Sequence, residues 1–164
     1  MAPVEQTPTE PVDYAAISAT YGALLGTVAL AAHEREAEQL APVELLPLGA
    51  AAFALSKLVA KEKAETWVRR PFVDESERRP KGRRMRYAVG ELLSCTRCLG
   101  AWSSLGLVAL RVTRPREARV VTAVLATSAL NDFLQTGFTW LCARSNATEQ
   151  AADSLPATHN GVRV

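Results

Sequence analysis

Residues 14–32 read YAAISATYGALLGTVALAA, nineteen positions from Tyr14 to Ala32 without a charge. At about 1.5 Å per residue, a helix of this length crosses the roughly 30 Å apolar core of a bilayer. A secretory signal opens on positive charge and closes on a cleavage site. Here Met1 to Asp13 is Pro-rich and acidic, with no Lys or Arg. The stretch is therefore expected to be a retained anchor, and it decides the fold class. Three more apolar segments follow, at about 43–60, 87–110 and 120–143, without strand-type alternation. The expected fold is all-α: a helical membrane domain over 14–143, with three or four apolar segments, between unstructured tails at 1–13 and 144–164.

Charge is segregated along the chain. The stretch 61–87 holds ten Lys/Arg and five Asp/Glu, against a net charge of only +2 for all 164 residues. Basic loops face the cytoplasm, so the loop 61–86 is expected inside, the acidic loop 33–42 outside and the N-terminus inside. That topology fits a multi-pass membrane protein. The third segment complicates it. Glu91 and Arg97 interrupt the segment, leaving Cys98–Leu110 as a thirteen-residue apolar run, short of a full crossing. It either crosses, putting Arg111, Arg114, Arg116 and Arg119 outside, or dips in and returns. Pro47 is expected in the first turn of the second helix, where a missing N–H costs nothing. Gly22 and Gly26 have the spacing that lets another helix approach closely.

Two clusters could carry chemistry. The first is Cys95-Thr96-Arg97-Cys98. If 88–104 is one helix, Glu91, Cys95, Cys98 and Trp102 share a stripe, with Arg97 pointing elsewhere. Three readings stay open for the pair. The thiols bind a metal such as zinc, which needs four ligands and has only Cys142, His33 and His159 as other sulfur or imidazole candidates, unless Glu91 or a second chain contributes. They cycle as a disulfide, with Arg97 favouring the thiolate. Or they simply pack in a tight turn near Gly100. The second cluster is Asn131, Asp132 and Gln135 inside the fourth segment, where an intramembrane carboxylate calls for a partner such as Arg97 or Lys57. Ser128, Asp132 and Gln135 would form one polar face.

No Ser/His/Asp set, phosphate-binding Gly loop or metalloprotease motif is present, so an enzyme is not the expected reading. The basic loop lacks the interleaved aromatics of a nucleic-acid reader. The expected partners are the lipid bilayer and a second copy or another membrane protein. No cofactor beyond the zinc of the metal reading is indicated.

From about Leu55 to Gly106 the order of features is more specific than a lone Cys-x-x-Cys. Leu58 is followed by Arg70-Pro71-Phe72, an acid-containing spacer, Pro80-Lys81-Gly82, and then Gly90-Glu91-Leu92-Leu93-Ser94-Cys95-x-x-Cys98-x-Gly100-x-Trp102. This series resembles the DUF1360 family of small bacterial membrane proteins, which includes a sporulation-associated member. Members often carry an aromatic between the cysteines, where this chain has Thr96-Arg97, and an Arg at the place of Lys57. The resemblance implies an integral membrane protein and no established reaction. The Arg- and Ala-rich composition suits a high-GC bacterium.

Overall fold

The computed structural model describes residues 7–35, 40–77 and 79–153. Six α-helices follow in order: α1 (Pro11–Glu34), α2 (Pro42–Lys61), α3 (Thr66–Arg69), α4 (Met85–Ser94), α5 (Thr96–Thr113) and α6 (Pro115–Asp153). A 3₁₀ turn at Lys63–Glu65 leads into α3. Between α3 and α4 the chain forms a minimal antiparallel ladder, β1 (Val73–Asp74) with β2 (Arg79–Pro80), pairing Val73 with Pro80. The all-α class holds. The structure forms two units, one up to Ala129 and the other from Leu130 onward.

In the first unit, α2 packs on α5. Ala51, Ala52 and Leu107 are buried together, with Leu48 and Leu125 against them. Small side chains on α2 let the two backbones close in, which is how helices associate where burial from water contributes little. The pairing is antiparallel: Leu107 meets Ala51 and Ala52, while one turn further on Arg111 donates to Glu44 at 3.3 Å, near the start of α2. An 18-residue α5 thus runs alongside a 20-residue α2. None of the most apolar window of α1 is buried, and Leu24, Leu25 and Leu30 lie exposed. Thr20 and Thr27 donate to the carbonyls four residues back, at 2.8 and 2.9 Å, so their hydroxyls are satisfied within the apolar helix.

Helices α1 and α2 are each long and apolar enough to cross a membrane, and α4 with α5 passes the same test jointly, although the pair is bent by 88°. In the second unit, α6 continues with intrahelical bonds, Thr136 to the Asp132 carbonyl at 2.8 Å and Thr139 to that of Gln135 at 2.9 Å.

Four expectations need correction. Residues 144–153 are helical rather than an unstructured tail, because Ala143, Arg144, Ala147, Glu149, Gln150 and Ala151 favour helix and no Gly or Pro intervenes before Pro156. Residues 7–13 are fixed by contacts described below, whereas 1–6 and 154–164 fall outside the described residues. Helix α2 starts at Pro42, one residue before the expected segment, and Pro47 lies inside the helix rather than in its first turn. Finally, 87–110 is two helices rather than one, so the proposed single stripe of Glu91, Cys95, Cys98 and Trp102 is broken at Cys95.

Candidate functional site

The site is built around the elbow between α4 and α5. Ser94 donates to the Gly90 carbonyl at 2.8 Å, and Cys95 leaves the helix with extended dihedrals, φ −100° and ψ 105°. Ser, Cys and Thr are weak helix formers, and a side chain able to accept a backbone N–H favours a new helix start here. Cys95 takes that role for α5: its sulfur accepts the Cys98 N–H at 3.3 Å. The Cys98 thiol also donates to it, with the two sulfurs 2.8 Å apart and both cysteines free. The first thiol of the pair therefore sits where helix-end N–H groups favour negative charge. Arg97 lies exposed between them.

What holds α4 at this angle is the loop before it. Gly90 packs so tightly on the loop that a Cβ there would stand 2.5 Å from the Phe72 carbonyl oxygen and 2.9 Å from Pro80. Lys81 N–H donates to the same Phe72 carbonyl at 2.6 Å, and Arg86 forks onto the Pro71 carbonyl at 3.0 and 2.6 Å. Arg69 is buried. It donates to the Val59 and Glu62 carbonyls at 2.6 and 3.1 Å, and through Nε and Nη2 to both oxygens of Glu75 at 3.0 and 3.2 Å. It staples the end of α2 to the loop. Gly82 turns the chain at φ +83°.

Arg84, held at φ +57°, ties the N-terminal segment to this end of the molecule. Its N–H donates to the Pro8 carbonyl at 2.7 Å, and its guanidinium pairs with Glu10 and, at 3.3 Å, with the buried Asp13. Asp13 also accepts the Glu10 N–H at 2.9 Å, closing the first turn of α1.

This anchoring sets α1 against the elbow and leaves a cavity of about 500 Å³ between α1, α4 and α5. Tyr14, Tyr21, Glu91, Cys98 and Trp102 line it. Thr9 donates to the Tyr14 hydroxyl at 3.2 Å, and Tyr14 donates in turn to Oε2 of Glu91. Tyr21 meets Trp102 edge to face, with centroids 5.3 Å apart and planes at 75°.

The bend thus gathers three of the expected residues, Glu91, Cys98 and Trp102, at one cavity without a common helix. Cys95 touches it through Cys98, and Arg97 does not line it. Asn131, Asp132 and Gln135 lie on the second unit, where Gln135 donates to the Asn131 side chain at 3.5 Å. Among the described residues, no three His, Cys, Asp or Glu side chains converge on a metal position. His159 is outside the described residues. Sequence reasoning missed Tyr14, Tyr21, Arg69 and Arg84. The seven-residue spacing of the two tyrosines, two helical turns, was a readable signal. Arg69 and Arg84 carried none, being two cations in a crowded run.

Residues 47–138, more than half of the chain, match the family described as Protein of unknown function (DUF1360). The chain belongs to the DUF1360 family. The matched span contains the Arg69 staple, the Gly90 contact and the elbow, while Tyr14 and Tyr21 lie N-terminal to it. Comparison with the curated proteins and with the solved structures gives no match.

Proposed function

We propose that this DUF1360 protein is a multi-pass protein of the bacterial cytoplasmic membrane that serves as a non-enzymatic structural or accessory component of the envelope. The observation that carries the reading is that two helices, α1 and α2, are each long and apolar enough to span a membrane, while Arg84 in the basic loop holds the start of α1. The Arg84 contacts to Pro8, Glu10 and Asp13 put the N-terminus beside the basic loop, in agreement with both being cytoplasmic. The Arg111–Glu44 pair supports α5 as a crossing helix rather than a re-entrant one, because Glu44 opens α2 at the opposite end. Helix α4, bent by 88° from α5, would then lie along the cytoplasmic interface. Exposed apolar side chains such as Leu45, Leu46 and Phe53 on α2 would face lipid or a second copy. Carbonate washing of isolated membranes tests the reading: the protein should stay in the pellet, and release into the wash would refute it.

A second reading, thiol–disulfide exchange, is favoured by the N-cap position of Cys95. In that step the Cys95 thiolate attacks a disulfide of a partner protein, forming a mixed disulfide and releasing one partner thiolate. The Cys98 thiol then gives its proton to a base or solvent, and its sulfur attacks Cys95. The second partner thiolate leaves, Cys95–Cys98 becomes the disulfide, and the partner is reduced. Acid quenching of living cells followed by mass-tag alkylation should find both redox forms if the pair cycles. Uniformly reduced thiols would leave packing, or metal binding across two chains.

A further inference from the structure

The cavity beside the elbow holds a carboxyl group with no basic partner among the described residues. Glu91 accepts from Tyr14 through Oε2, but among the described residues no Lys, Arg or His pairs with it, and Oε1 takes no hydrogen bond. A cation bound there would meet a carboxyl group that no basic side chain already occupies. The walls around it are aromatic. Tyr14 and Tyr21 come from one face of α1, and Trp102 stands edge to face with Tyr21, so three aromatic rings line the same cavity as the Glu91 carboxyl group. We propose that this cavity binds an alkylated ammonium group, of the trimethylammonium type, carried on an apolar body.

The choice of a methylated over a primary ammonium rests on the polar groups at hand. A primary ammonium brings three N–H donors, each needing an acceptor. The cavity offers Glu91 Oε1 and the hydroxyls of Ser18 and Tyr21, so a primary ammonium would have to engage every one of these acceptors at once. The Tyr14 oxygen already donates to Glu91 and accepts from Thr9, and the Cys98 thiol is directed at Cys95. A trimethylammonium group has no N–H to satisfy. It takes ring faces and one anion, which is the mix these residues present. A volume of about 500 Å³ leaves room for the head and a short apolar chain, with Ile17, Ala88, Leu92 and Ala101 as the apolar lining. The site stands apart from the thiol-exchange reading, since neither sulfur is needed for it.

The test uses the full chain in phosphatidylglycerol nanodiscs, with Trp67→Phe and Trp140→Phe leaving Trp102 as the single indole. The probes are hexanoylcholine and its carbon isostere, in which a tert-butyl group replaces trimethylammonium. Saturable quenching or shift of Trp102 emission is expected with the cation, at least about tenfold tighter than with the neutral isostere. Glu91→Gln should remove that preference while leaving weak binding of both. Equal binding of the two probes to the protein with Glu91 intact, or a signal that rises linearly without saturating, would overturn the proposal. That comparison needs no change at Glu91, so it decides the matter even if Glu91→Gln does not fold.

Discussion

Gly90 on α4 lies against the carbonyl oxygen of Phe72, with room for a hydrogen and none for a methyl. A Cβ 2.5 Å from a backbone oxygen cannot be relieved by rotating a side chain, so either α4 or the loop must move. Both carry other contacts, from Arg86 to Pro71 and from Lys81 to Phe72. Gly90→Ala is expected to destabilise the protein by about 1–3 kcal/mol through overpacking, despite the better helix propensity of Ala. Thermal unfolding in detergent, followed by circular dichroism, checks this; an unchanged or raised midpoint would show that the loop is not seated on α4.

Arg69 is the other fastening. Its guanidinium satisfies two carbonyls at the end of α2 and both oxygens of Glu75. Removing one partner from a buried ion pair costs about 3–5 kcal/mol, and the partial exposure of Glu75 places Arg69→Ala near the lower end. Arg69→Lys should recover little, since a point charge cannot make the fork. Limited proteolysis of the segment 70–80 measures the effect, with faster cleavage expected in both variants.

The turn after β1 should be sensitive to acid. The Ser76 hydroxyl, the Ser76 N–H and the Glu77 N–H donate to the Asp74 carboxylate and hold its pKa below the ordinary value. A carboxyl lowered on folding stabilises the turn above the unfolded value of about 3.9, and that contribution is lost as pH falls through the folded value. Amide shifts of Ser76 and Glu77 should therefore titrate together below that ordinary value, and Asp74→Asn should abolish their titration.

In the helical core, Leu107 packs with Ala51 and Ala52. These alanines cannot rearrange to fill a void, so Leu107→Ala is expected to cost about 2–5 kcal/mol. An exposed substitution on the same unit, Leu30→Ala, should cost far less in detergent. Comparing the two unfolding midpoints separates helix–helix packing from general apolarity.

The fold class was legible because an uncharged run of nineteen residues admits few alternatives, and the four apolar segments reappear as helices. The elbow was not. Periodicity treats 87–110 as one segment, and the signal for a break is a local cap at Cys95, which competes with helix continuation only once the loop fixes α4. Half of the candidate site was visible for a related reason. Glu91, Cys98 and Trp102 are near in sequence, whereas the Tyr14–Glu91 bond closes across 77 residues and depends on Arg84 drawing the start of α1 to the same end. Arg69 and Arg84 read as topology signals in a basic run, and burial or backbone strain in such a run leaves no mark on composition.

The most direct measurement is the sidedness of three single cysteines, Thr9→Cys, Glu34→Cys and Lys63→Cys, each in a chain whose native thiols are replaced by Ser. A membrane-impermeant maleimide applied to intact spheroplasts should label the cysteine at position 34 alone, with positions 9 and 63 reacting only after permeabilisation. Labelling of positions 9 and 63 from opposite sides, or of all three without permeabilisation, would contradict two crossings by α1 and α2 with the start of α1 and the end of α2 in the cytoplasm.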